Sequence, residues 1–231
     1  MNRGARRLLA VFAIGLLASC GSQPQAPVPP ASEVPPNFPV AYYRQVAAQG
    51  GRVFRIDPSA SIVTVVVRRD GSLARLGHDH VVAGHDVRGF VAPDARRADV
   101  YVRLDRLVVD EPALRTEAGF DTRPSDQDIA GTRRNMLNAL DAGSYPFALI
   151  SVTGVADATL RLAITLHGTT RSIDVPARIA VSGDAVDVAG ELALKQTDFG
   201  ITPLSVLGGA INVQDQVELR FRIRARPVEG P

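Results

Sequence analysis

The sequence predicts an all-β fold, an antiparallel β-barrel of about eight strands with one amphipathic helix. Three observations carry this. Apolar residues fall on every second position in several runs of strand length, Gly, Asp and Pro punctuate those runs, and only one segment shifts to helical spacing.

In chain order, the first element is a leader. Arg3, Arg6 and Arg7 precede the apolar run 8–17, which is too short for a membrane-spanning helix of about 20 residues. The run therefore reads as a signal peptide. It ends in Leu17-Ala18-Ser19-Cys20, which resembles a bacterial lipobox, and Cys20 is the only cysteine in the chain. Residues 1–19 are thus expected to be a lipoprotein signal peptide and Cys20 the lipidation site. Two or three acyl chains, at about 0.8 kcal/mol per buried methylene, would anchor the mature chain firmly. An acylated Cys20 leaves no thiol for disulfide or redox chemistry. Three of the 26 basic residues leave with the leader, against 24 acidic ones, so the balance turns slightly acidic. No nucleic-acid partner is expected.

Residues 20–45 then read as a lipidated, proline-rich tether, with seven prolines by Pro39. Such a stretch favours extended polyproline conformation and, at about 3.1 Å per residue, reaches roughly 60–80 Å. It is expected to bury no core, which places the folded domain at 46–231 and lets a chain starting near Arg52 fold alone.

The strands follow. In Leu160-Arg161-Leu162-Ala163-Ile164-Thr165-Leu166-His167 the apolar residues alternate, and after Gly168 to Ser172 the pattern resumes at Ile173, Val175, Ala177, Ile179 and Val181. That is a hairpin with one buried face. Similar runs lie at 62–67, 99–109, 147–155, 185–194 and 217–225, giving seven to nine strands. The helix is the exception. Ser125-Asp126-Gln127-Asp128 has capping-box spacing, and Ile129, Arg133, Met136, Leu137 and Leu140 recur at helical intervals before Gly143 and Pro146 close the segment. Its apolar stripe is expected to pack on the sheet or across a barrel end. With Phe 8, Tyr 4 and Trp 0, the inward positions would be mostly aliphatic, which makes an apolar lumen plausible.

Several ordered blocks resemble the YceI-like family, periplasmic lipocalin-like proteins known for binding polyisoprenoids. They are Phe54-Arg55-Ile56-Asp57-Pro58 with Ser61, then Asn135-Met136-Leu137 through Gly143-Ser144-Tyr145-Pro146-Phe147. Leu166-His167-Gly168-Thr169-Thr170-Arg171, Asp198-Phe199-Gly200-Ile201 and the final strand 213–225 complete the order. The resemblance covers nearly all of 53–225. It implies a lipocalin-like barrel domain within 46–231, an apolar cavity that holds an isoprenoid tail, and no catalytic residues. The chain departs from the family at Gly77-His78-Asp79-His80 and Gly84-His85-Asp86, where aromatic and small residues are common, and it lacks tryptophan.

Those departures are the candidate site. On a strand, His78 and His80 would share one face about 6.6 Å apart. Two histidines so placed can share a metal ion if a third ligand joins them. His85 has the opposite parity and reaches them only through a bulge at Gly84, whereas His167 could close the set from another strand. The metal set is therefore His78, His80, His85 and His167, with local hydrogen bonding by His78, Asp79 and His80 as the plainer alternative. A Ser/His/Asp triad would have to be assembled wholly from tertiary proximity. Arg75, His78 and His80 are the candidates to meet a ligand headgroup at a barrel mouth.

Together these residues predict a non-enzymatic, lipid-anchored carrier of an isoprenoid or other long apolar molecule. The alternative is a filled envelope barrel whose histidines bind metal or serve structure. Gly21 after Cys20 points, by the sorting rule of lipoproteins, to the outer membrane with the domain facing the periplasm. Cys20→Ser should abolish lipid attachment and leave the leader uncleaved or the protein soluble. Mass spectrometry of the N-terminus and membrane fractionation check this, and unchanged processing would overturn it.

Overall fold

The structure, a computed structural model, describes residues 32–156 and 158–228. The leader, Cys20 and the tether up to residue 31 lie outside them.

Eight strands form the domain, the first three of them each made of two segments. They are β1 (Phe54–Ile56 with Ile62–Val67), β2 (His80–Gly84 with Val87–Ala92), β3 (Arg97–Arg103 with Val108–Val109) and β4 (Phe147–Ala156). The others are β5 (Thr159–Leu166), β6 (Thr169–Val181), β7 (Val186–Lys195) and β8 (Gln216–Pro227). Each pairs antiparallel with the next, and β8 returns to β1, so the sheet closes into an up-and-down barrel. Closure removes the free edges that an open sheet exposes. A small sheet of Arg69–Asp70, Ser205–Val206 and Ile211–Val213 sits apart from the ring.

The bends have local causes. In β1 the chain leaves the ladder at Asp57-Pro58, where proline has no N–H to donate. Asp57 accepts from Ser59 N–H at 3.0 Å and from Arg226 Nε at 2.6 Å. Those partners hold its carboxyl down at about 2. In β2 the break falls at His85-Asp86, and Gly89 follows at φ 150°, where an added Cβ would lie 2.1 Å from the Asp99 carbonyl. The hairpin between β5 and β6 is tighter than expected. Its turn is only His167-Gly168, both at positive φ (51° and 72°), so pairing resumes at Thr169 and not at Ile173.

Three α-helices occur among the described residues, where one was expected: α1 (Val40–Ala48), α2 (Pro112–Glu117) and α3 (Asp126–Ala139). The capping box of α3 is present, with Ser125 and Asp128 bonded reciprocally. Helix α2 is a short helix opened by Pro112, below the length at which periodicity is readable. Helix α1 corrects the tether. It spans the expected boundary at 45/46, and Tyr43 is 1% exposed. Tyr43 stacks on Phe90 (5.2 Å between centroids), and its hydroxyl donates to Asp99 at 2.8 Å. Arg97 and Ser151 also donate to Asp99, at 2.9 and 2.6 Å. Burial, reinforced by Asp99, pushes the Tyr43 phenol well up. Asp99 has odd parity on β3 and faces outward, so α1 is a cover on the outside of the barrel. A two-tyrosine anchor in a nine-residue helix carries no long apolar stripe, and the prolines around it mask the signal.

A chain starting near Arg52 should therefore be destabilised. Tyr43→Ala should cost about 3–5 kcal/mol, the usual loss for a buried aromatic, and Tyr43→Phe about 1 kcal/mol for the hydroxyl. Urea unfolding of the full chain measures both, and wild-type midpoints would show that α1 is dispensable.

Candidate ligand cavity

Alternation along the strands decides what faces inward. Val63, Val65 and Val67 of β1, Val100 and Val102 of β3, Ile150 and Val152 of β4, and Leu160, Leu162, Ile164 and Leu166 of β5 line a cavity of about 650 Å³. From β7 and β8 come Leu192, Leu194, Val217, Leu219, Phe221 and Ile223. Its only phenyl rings are Phe199 and Phe221. On the outside of the wall, Phe38 and Phe147 meet Tyr101 edge-on at 4.8 and 5.8 Å. Two packed clusters flank the space: Phe54, Ile56, Val87, Val102, Val186 and Ala225, and, across the barrel, Leu160, Leu162, Ile164, Val175, Leu194 and Phe199.

The antiparallel order places the segments 68–79, 104–146 and 196–215 at one end. Helix α3 docks at that end, but its inward face differs from the expected stripe. Thr132, Asn135, Met136, Ala139 and Leu140 border the cavity, and no residue of α3 is fully buried. The helix thus walls a space instead of filling a core.

At the same end the aliphatic lining gives way to a polar corner around His80, while Arg96 and Arg97 border the cavity at the opposite end. His80 opens β2, and its Nδ1 lies 2.6 Å from Asp110 Oδ2, while its Nε2 is 3.4 Å from Thr132 Oγ1. Asp110 has no exposed side-chain surface. Its Oδ1 accepts from Val81 N–H at 3.0 Å and Arg115 at 2.6 Å. Arg115 also donates to the carbonyls of Asp79 and Thr122, both at 2.7 Å. Burial would raise the Asp110 carboxyl, but hydrogen bonds from His80 and Val81 and the pairing with Arg115 outweigh it and hold it below the usual range. Because a carboxylate only accepts, His80 Nδ1 carries a proton and its Nε2 is left toward the cavity. His78 packs edge-on to His80 at 6.3 Å, and its buried Nδ1 has no partner. Such an orphan is costly and calls for a ligand or water.

The remaining expected residues are placed elsewhere. His78 precedes β2 and is not on a strand, so the shared-face geometry does not apply as drawn. His85 lies outside the barrel and contacts Glu111 at 2.9 Å. His167 sits in its turn with Nδ1 3.2 Å from the Phe199 carbonyl. The four histidines therefore do not converge, and among the described residues no cluster of three metal-ligating side chains exists. Arg75 is exposed in a short 3-10 turn and does not line the cavity; Arg69 does, and it donates to the Gly77 carbonyl at 2.5 Å. Cys20 lies outside the described residues. Sequence reasoning missed Asp110, Arg115, Thr132 and Asn135. Asp110-Glu111-Pro112 carried a helix-start signal, but nothing in it points to a histidine 30 positions earlier.

Known proteins place this geometry. Residues 54–225 match the family described as YceI-like domain. Among solved structures, a polyisoprenoid-binding domain from Saccharophagus degradans implicated in plant cell wall breakdown superposes with a TM-score of 0.54. Its identity is 15%, over 76% of this chain and 98% of that one. BcnA of Burkholderia cenocepacia gives 0.49 at 18% identity, over 73% of this chain and 98% of its own. No curated protein sequence matches the chain. The first neighbour shares the fold.

The polar corner generates a pH prediction. The folded pKa of Asp110 lies below its unfolded value of about 3.9. Its contribution is therefore complete above about pH 4 and is lost as pH falls through the folded value. Asp110→Asn should cost about 3–5 kcal/mol at pH 7, as for one half of a buried pair, and should flatten the acid limb of stability. A variant with wild-type acid sensitivity would remove Asp110 from this role.

Proposed function

The chain belongs to the YceI-like family, and on that premise we propose that it is a binding protein, not an enzyme, for a long apolar molecule of the polyisoprenoid kind. The observation that carries this is the cavity itself, about 650 Å³ with an aliphatic wall and its polar groups at the two ends. That volume falls within the roughly 300–1,000 Å³ usual for ligand sites. Val, Leu and Ile walls suit a methyl-branched chain, and burial at about 25 cal/mol per Å² supplies the attraction. His78 Nδ1 and His80 Nε2, with the Thr132 hydroxyl and the Asn135 amide nearby, would orient a small hydroxyl or carbonyl headgroup. The same reading includes anchorage through Cys20 in a bacterial envelope, at the outer membrane facing the periplasm. Its support is the lipobox-like leader and Gly21.

Solvent extraction of the purified full chain and mass spectrometry test it. We expect a long apolar molecule in near-stoichiometric amount. Ile150→Trp and Leu219→Trp, which fill the lumen, should lower that amount at least tenfold with unchanged circular dichroism. His78→Ala should keep the tail but weaken preference for headgroup-bearing ligands by about tenfold, one hydrogen bond's worth. A folded protein with nothing extractable would favour the filled barrel.

A further inference from the structure

The end of the barrel that holds the polar corner also carries most of the strongly exposed large apolar side chains. Leu207 is 69% exposed and Leu76 62%, with Val206 at 41% and Leu204 at 40%. They form one patch, because the two segments that bear them are joined. Leu73 N–H donates to the Ala210 carbonyl at 2.8 Å, and an added Cβ on Gly77 would touch Ile211 at 3.4 Å. Leu204 and Val206 line the cavity as well, so the patch is continuous with its wall. Leu207 holds a left-handed backbone (φ 52°), a conformation non-glycine residues adopt at some cost.

Charge supports one kind of partner. Residues 199–214 are sixteen consecutive positions without an ionisable group, in a chain that is 22% charged. Arg75 stands beside Leu76 and has no partner among the described residues; of the flanking acids, Asp70 accepts from the Gly71 N–H at 2.7 Å and Asp79 pairs with Arg69 at 3.8 Å. Four partly exposed side chains make a patch of a few hundred Å², well short of the ~800 Å² each partner buries in a stable protein complex. A fluid acyl layer needs no such complementary face. The described chain also begins at this end: Glu33 pairs with Arg103 at 3.1 Å and Arg106 at 2.7 Å, where β3 leaves the ring. Twelve residues (20–31) separate Ser32 from the cysteine's far side. At no more than about 3.6 Å each, they keep the domain as a whole within reach of any lipid on Cys20.

We propose that the rim formed by Leu76, Leu204, Val206 and Leu207 docks on an anionic lipid bilayer, with Arg75 at headgroup level. The mouth then opens into acyl chains, so an apolar ligand passes between bilayer and cavity without crossing water. The tether argument rests on the lipidation reading; the patch and its charge do not.

The test uses the mature chain from residue 21, which carries neither the apolar leader nor Cys20, so each variant has one thiol to label. An environment-sensitive fluorophore is placed at Leu207→Cys, at Leu76→Cys as a second rim position, or at Ala180→Cys toward the opposite end. Vesicles of phosphatidylethanolamine and phosphatidylglycerol should blue-shift both rim labels and expose them to a lipid-borne quencher, leaving position 180 unchanged. Arg75→Gln should weaken that response about fivefold, from about 1 kcal/mol per interfacial cation, and pure phosphatidylcholine should weaken it similarly. Rim labels that stay aqueous overturn the proposal. So does shielding that grows with protein concentration without vesicles, which would mark a second copy of the chain, or an Arg75→Gln response equal to that of Arg75. Extractable ligand measured in the same samples separates failure of docking from failure of the ligand reading.

Discussion

Closure of the ring between β8 and β1 is the constraint on which everything else in this protein depends. β8 pairs with β7 over ten residues and with β1 through two separate segments, Phe54–Ile56 and Ile62–Val67. Between them the ladder is mended by side chains and by one backbone bond. Asp57 N–H donates to the Arg224 carbonyl at 2.8 Å, and Ser61 Oγ accepts from Arg224 N–H at 3.0 Å. The seam therefore bends without leaving these groups of β8 unpaired, which a barrel without edges requires. Once the ring closes, strand parity has only two destinations, a lumen and an outside. Each strand's alternate residues inherit one or the other.

That partition explains why the polar groups fall where they do. Asp99, of outward parity, is tolerable under a protein cover only because Tyr43, Arg97 and Ser151 donate to it. Asp110, beyond the end of β3, is tolerable for the same reason: Val81, Arg115 and His80 supply its donors. The second network has a consequence that the first lacks. Fixing Nδ1 of His80 fixes what Nε2 can offer, and it does so beside an apolar space where one hydrogen bond discriminates strongly. Arg115 neutralises the carboxylate that orients the ring.

The barrel was legible in the sequence because its signal is local. Leu160, Leu162, Ile164 and Leu166 alternate within a single strand, and Ser125 with Asp128 marks the start of α3 within four residues. The parts that escaped depend on distant pairings or short elements. Tyr43 is buried only because Phe90 and Asp99 wait on the barrel wall. His80 has its role through Asp110 and Thr132, 30 and 52 positions away. The histidine cluster looked like a ligand set because spacing along a chain measures reach only if the strand is continuous. His78 lies before β2 begins, and the bend at His85-Asp86 leaves His85 outside. Hydrogen-bond partners, which no spacing shows, decided the rest.

Whether such a barrel is hollow is a matter of side-chain volume. Eight strands enclose an interior that side chains can just fill or that can hold one small ligand. Here five bulky rings, Phe38, Tyr42, Tyr43, Phe90 and Tyr101, pack outside the barrel around α1. The cavity wall is left mostly to Val, Leu, Ile and Ala, with Phe199 and Phe221 as exceptions, and a space of about 650 Å³ remains between them. Helix α3 does not plug the gap, because its inward face offers Thr132, Ala139 and Asn135 beside Met136 and Leu140. A void of this size with aliphatic walls holds water poorly, since water needs several polar partners. The polar groups that border it lie at its two ends, with His78, His80, Thr132 and Asn135 at one and Arg96 and Arg97 at the other, and the wall between them is aliphatic. An occupant that satisfies both kinds of surface must therefore be apolar along most of its length and carry any polar group at an end.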